Sequence, residues 1–151
     1  MAMRARGEAG QVGGIEVIPF GLLTFVLATL LLANAWGAVD AQLAVTSAAR
    51  ESIRAFVEAP DETTATERAI SVAATTVAAH GRDASNTSVE LHYLDGSTWA
   101  RCRRVTSTVR HPIPVLRIPV LGGFGHAFDV VSTQTEVIDP FRAGITGAKA
   151  C

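Results

Sequence analysis

Charge is sparse in this chain and evenly mixed, with 13 Lys and Arg against 14 Asp and Glu in 151 residues and no block of either sign. A basic stripe is the electrostatic footprint of a nucleic-acid binder, so its absence argues against nucleic acid as a partner. The spacings of zinc ligands, a phosphate loop, a calcium loop or a nucleophile elbow do not occur. Four histidines at positions 80, 92, 111 and 126 are scattered. His80 precedes Gly81 and reads as a helix-end residue. A Cys102–His92 couple fails because an alternating pattern points the two to opposite faces. No catalytic residue, metal or cofactor is therefore expected, and the chain reads as a non-enzyme.

Cysteine is scarce too. Cys102 and Cys151 offer one bridge if they lie in an oxidising compartment, and two unpaired thiols otherwise.

What the chain does have is one long apolar run. From Val17 to Val39 there is no charged side chain, and the nearest carboxylates are Glu16 and Asp40. About 20 apolar residues cross a bilayer core as a helix, so residues 14–39 read as a single membrane span. Glu16 at its start is costly in lipid unless paired, which makes it the first functional suspect. Residues 1–13 form a short polar leader whose Arg4 and Arg6 orient the span with its amino end in the cytoplasm. The competing reading is a cleaved secretory signal ending at Ala33-Asn34-Ala35, but the run is long for that purpose and is interrupted early by Glu16 and Pro19.

Beyond the span, Val39, Leu43, Thr46, Ala49, Ile53, Phe56 and Val57 recur at helical steps, so residues 40–60 read as an amphipathic continuation of the same helix, ended by Pro60. Glu51 and Arg54 can support it locally. A second helix is expected from the capping box Thr64-Ala65-Thr66-Glu67 to His80-Gly81, with Ile70, Ala73, Ala74, Val77 and Ala78 on its buried face.

From Thr87 the period becomes two. Asp95-Gly96 predicts a tight hairpin that sets Val89 beside Cys102, Leu91 beside Ala100 and Glu90 beside Arg101. The apolar positions then change parity at Val105 and Val109, which predicts a bulge or a change of buried face. Pro112, Pro114 and Pro119 make a central strand an unfavourable expectation for the next segment. Yet Ile113, Val115, Leu116, Ile118, Val120, Leu121 and Phe124 are too apolar for an ordinary loop. That segment either tucks over the core or contacts the membrane surface or a neighbouring subunit. A last strand is expected over residues 127–138, and a loose tail over 143–151. The fold class is α+β: a long helix, a second helix and a small antiparallel sheet, with residues 61–142 as an extracytoplasmic domain.

The N-terminal stretch Arg6-Gly7-Glu8-Ala9-Gly10-Gln11-Val12-Gly13-Gly14-Ile15-Glu16-Val17-Ile18-Pro19, the span behind it, Ala48-Ala49-Arg50-Glu51 and the closing residues 131–142 resemble the TadE-like minor pseudopilins of tight-adherence pilus systems. The resemblance implies a pilin-like structural subunit in the inner membrane, partnered by other pilin-like subunits through its first helix. It also implies trimming by a prepilin peptidase near Gly10, Gln11 and Val12, with Glu16 pairing with a neighbour's new terminal amine. A cut after Gly10 makes Glu16 the sixth residue, whereas the family pattern wants the fifth. The reading outside this family is a membrane-anchored or secreted binding domain.

Overall fold

The computed structural model describes residues 14, 17–96, 98–118, 120–125, 127–147 and 150–151. Its elements are α1 (Val17–Val57), α2 (Glu62–Ala79), a 3-10 turn (Ala84–Asn86), β1 (Ser88–Tyr93), β2 (Arg104–Ile113), β3 (Leu116–Ile118), β4 (Gly122–Phe124) and β5 (Phe128–Val137). This is an α+β arrangement built on one unbroken helix.

At 1.5 Å per residue α1 is about 60 Å long, and only its second half is packed. Its buried residues begin at Ala41 and continue through Ala44, Val45, Ala48, Ala49, Ser52, Ile53 and Phe56. That face differs from the expected one: Val39 and Leu43 stand in the open, and alanines take their place. The reason is α2. It lies along α1 with a single ridge of Ala65, Ala69, Ala73 and Val77, all fully buried, while Ile70 is exposed. Small side chains let two helix backbones approach closely, so this contact selects alanine over leucine. The ion pair of Arg54 forms with Glu58, at 3.0 Å, rather than with Glu51.

α2 also starts earlier than the capping box suggests. Asp61 is the N-cap, its carboxylate accepting from the Thr64 backbone N–H at 2.9 Å and from the Thr64 hydroxyl at 2.8 Å. Aspartate is as good a cap as threonine, and here it lies directly after the Pro60 stop.

The three-stranded sheet has the order β1-β2-β5 and is antiparallel throughout. The expected hairpin register is wrong. Val89 faces Val109, Leu91 faces Ser107 and Glu90 faces Thr108, so residues 94–103 form a long connection instead of a tight turn. Trp99 and Ala100 are drawn to the core in that connection, where Trp99 packs on Phe56. Burying a tryptophan outweighs completing a short ladder. No bulge follows from the parity change: β2 begins only at Arg104 and buries Val105, Ser107, Val109, His111 and Ile113 in unbroken alternation. The charge pairing across the outer face is Glu90 with Arg110, at 3.8 Å, rather than with Arg101.

Pro112 lies inside this central strand, against expectation. Pairing with β1 ends at Arg110, so at Pro112 only the β5 side carries a ladder and a missing donor leaves no gap on the other. The outward face is threonine-rich, with hydroxyl contacts from Thr106 to Thr135 at 2.9 Å and from Thr108 to Thr133 at 3.1 Å. Such cross-strand pairs suit a solvated face.

The tail is fastened where a loose end was expected. The Arg101 N–H donates to the Thr146 carbonyl at 2.8 Å, Ile145 packs beneath Phe56, and Cys151 is bonded to Cys102. Gly147 is required in this clasp: its φ is +115°, and a Cβ there would come within 2.9 Å of the Arg101 nitrogen.

Candidate membrane and assembly interface

The first twenty residues of α1, from Val17 to Trp36, measure about 30 Å, the thickness of a bilayer core. Among them Phe20 is 73% exposed and Trp36 is 73% exposed, and no described residue in that stretch is buried. α1 is thus long and apolar enough to cross a membrane, and the apolar half is the half left uncovered. Thr24 and Thr29 return their hydroxyls to the carbonyls of Phe20 and Phe25, each at 2.9 Å, so these polar groups are satisfied within the helix.

The exposed apolar surface does not stop at Trp36. Leu32, Trp36, Val39 and Leu43 follow one another at steps of four, three and four, and all are more than half exposed. This spacing makes one stripe along a helix. Its last member, Leu43, lies beyond residues 14–39, at the level where α1 already carries the folded domain.

On the opposite side of α1 stands the hairpin of β3 and β4, paired Leu116 to Phe124 and Ile118 to Gly122. It is separate from the main sheet and is latched to α1 by one side chain. The Arg117 N–H donates to Asn34 Oδ1 at 2.6 Å, and Asn34 Nδ2 donates to the Arg117 carbonyl at 3.1 Å. Between hairpin and helix runs a groove of roughly 340 Å³ lined by Leu31, Asn34, Ala38, Val115, Phe128 and Arg82, among others. Arg82 closes its domain end, donating to Asp40 at 2.8 Å and to the Gly37 carbonyl at 2.9 Å.

The residues singled out from the sequence fall as follows. Glu16, Gly10, Gln11 and Val12 lie outside the described residues. Cys102 and Cys151 are joined, with an S–S distance of 2.07 Å. The apolar segment is divided: Ile113 is buried at the end of β2, Leu116 and Ile118 are half-buried, and Val115, Val120, Leu121 and Phe124 are exposed. His80 caps α2, and His92 points outward on β1. Among the described residues no three His, Cys, Asp or Glu side chains converge as a metal site would require.

Sequence reasoning passed over Asn34 and His111. Asn34 was visible only as the middle of a small-x-small triplet, and the tie that explains it spans 83 residues. His111 sits at an inward position of β2, buried, with Nδ1 3.0 Å from the Thr87 hydroxyl. Its pKa is pushed below the usual 6.5, first by burial and then by the Arg82 charge, with Asp83 opposing. An unfolded histidine therefore takes up its proton before the folded one does. Stability is full above about pH 6.5 and declines as pH falls from there toward the lowered folded value. The carboxylates of Asp61, Asp83 and Asp95, held low mainly by hydrogen bonds from Thr64, Ser85 and Arg104, act only in a more acidic window. Urea midpoints of the detergent-solubilised chain should thus drop between about pH 7 and 5, and His111→Gln should flatten that drop. An unchanged slope in the variant would assign it elsewhere.

Compared with protein families, curated proteins and solved structures, the chain matches none of the three.

Proposed function

We propose that this chain is a single-pass inner-membrane protein, amino end in the cytoplasm, that serves as a minor pilin- or pseudopilin-like structural subunit in assembly of a tight-adherence pilus. The observation that carries the reading is the stripe of Leu32, Trp36, Val39 and Leu43. A helix that only anchors a domain has no use for apolar side chains past the membrane boundary, whereas one that packs among similar helices does. Leu43 lies seven residues beyond Trp36, about 10 Å further along the axis, so the stripe spans both the lipid-length half and the domain-bearing half.

Two further features support it. The Cys102–Cys151 bond fits a domain held on the oxidising side of the membrane. A secretory cut at Ala33-Asn34-Ala35 would divide a continuous helix and remove the side chain that holds the hairpin. The TadE-like assignment itself rests on the resemblance of residues 6–19 and their neighbours, and with it the partnership with other pilin-like subunits and a prepilin peptidase.

In this reading Glu16 supplies a carboxylate to a neighbouring subunit's terminal amine, since a charge buried in lipid or between helices requires a compensating one. Glu16→Ala should insert normally in the membrane yet reduce piliation by about tenfold or more, the loss expected when one buried charge is left unpaired. Immunoblots of membrane fractions and pili counted by electron microscopy read the two quantities. Normal piliation by the variant, or a native protein whose first residue lies near Trp36, would overturn the proposal.

A further inference from the structure

The β3–β4 hairpin has features that the reading of α1 as a span does not use. Asn34 stands seventeen residues after Val17, about 26 Å along the axis, which is the outer edge of a bilayer core begun at Val17. The chain descends toward that edge as it leaves β2. Ile113 belongs to the core cluster around Ala41, with Ala38 packed against it, and Arg117 is bonded at Asn34. The turn at Val120 and Leu121 closes the hairpin beyond the Ile118–Gly122 pair, at the end away from β2.

That turn combines a backbone cost with an exposed apolar pair. Val120 has a φ of +74°, a left-handed conformation that β-branched side chains avoid and that glycine or asparagine would adopt freely. Its side chain is fully exposed, and Leu121 beside it is 70% exposed. The left-handed backbone is a steric cost in any medium, but the exposure of this apolar pair is relieved if the side chains have an apolar medium to enter. The charge pattern agrees: residues 112–128 contain no Asp or Glu, and their one cation outside histidine is Arg117, exposed at the level of Asn34.

We infer that the hairpin is a second membrane contact, its tip of Val120 and Leu121 seated in the outer leaflet beside α1 and the Arg117 side chain reaching outward from the level of Asn34 to the lipid phosphates. The occupant is lipid because the hairpin is tied at Asn34 to the lipid-length half of α1 and its tip carries no acidic group to repel an anionic surface. The contact has a consequence for assembly. At 3.6 residues per turn, Leu32, Trp36, Val39 and Leu43 lie about 140–200° around α1 from Asn34. A hairpin held at the bilayer on one side therefore sets the rotation of α1 and turns the stripe sideways, away from it. The inference rests on the membrane placement of α1, which its test checks separately.

The full chain, disulfide intact, is reconstituted dilute in vesicles of phosphatidylcholine and phosphatidylglycerol. Spin labels are placed one at a time by Val120→Cys, Leu121→Cys, Leu22→Cys and Thr63→Cys, and their collision rates with oxygen and with a water-soluble nickel chelate are compared. Labels at 120 and 121 should give an oxygen-to-nickel ratio about fivefold or more above the Thr63 label, as expected for side chains several ångströms inside the interface. If both match Thr63 while the Leu22 label is lipid-like, the hairpin proposal fails and the span stands. If the Leu22 label is also water-like, both fail. Protection at 120 and 121 that appears only on crowding the protein, with dipolar broadening, would assign the tip to a second copy and overturn the lipid contact.

Discussion

Replacing Phe56 by alanine is expected to remove most of the folded domain's stability. Phe56 is almost completely buried in a cluster that draws on several elements: Ile53 and Ala59 at and just after the end of α1, Ala65 and Ala69 of α2, Val105 of β2 and Ile138 after β5. Its ring meets Tyr93 and Trp99 edge-on, with centroids 6.1 and 5.1 Å away. Truncating a buried phenylalanine costs about 3–5 kcal/mol, and the ring contacts place this site toward the upper end. A domain of this size holds only about 5–15 kcal/mol in total. The melting temperature of the solubilised chain should fall on the order of 10–40 °C, followed by the fluorescence of Trp99. Leu43→Ala, on the open face of the same helix, should change the stability by no more than about half a kcal/mol. Equal shifts in the two variants would mean that the cluster around Phe56 does not carry the fold.

Loss of the disulfide is expected to have the next largest effect. The bond spans 49 positions of sequence and encloses β2, the hairpin and β5. Closing a loop of that length in the unfolded chain is worth up to about 4 kcal/mol, with about 2–4 typical of native bridges. The clasp around it adds local consequences. Cys102 itself holds a left-handed φ of +63° while its N–H donates to the Ile138 carbonyl, and Thr146 and Ile145 lie on the same stretch of tail. Cys102→Ser with Cys151→Ser should lower the urea midpoint, leave no further response to reductant, and raise amide exchange over residues 143–151. Free thiols on both residues in the native protein, found by alkylation without reduction, would remove the basis for this effect.

Reading the elements from sequence succeeded where the signal was local. The 41-residue helix follows from an uncharged run joined without a break to an amphipathic one, and Pro60 ends it where a proline should. Alternation located β1 and β5, and a proline-rich apolar stretch marked the segment that became β3 and β4. The failures share a cause. Which face of α1 is buried depended on α2 arriving with alanines, and a sequence pattern weighs Leu43 above Ala44. The hairpin at Asp95-Gly96 was locally persuasive, but Trp99 joins the cluster around Phe56 and Cys102 is bonded to the tail, so the connection is longer than a tight turn. Asn34 carried no sign of its partner.

The chain's own order of residues determined an apolar helix of bilayer length, its amphipathic extension, a short second helix and strands enough for a small sheet, because each is set by side chains within a few turns or residues of one another. Only the tertiary structure decided the strand register, the fastening of the tail, and the position of an apolar hairpin tied to the helix at Asn34. Those depend on contacts between residues 12 to 83 positions apart, where the deciding quantity is which surfaces fit together once both are formed.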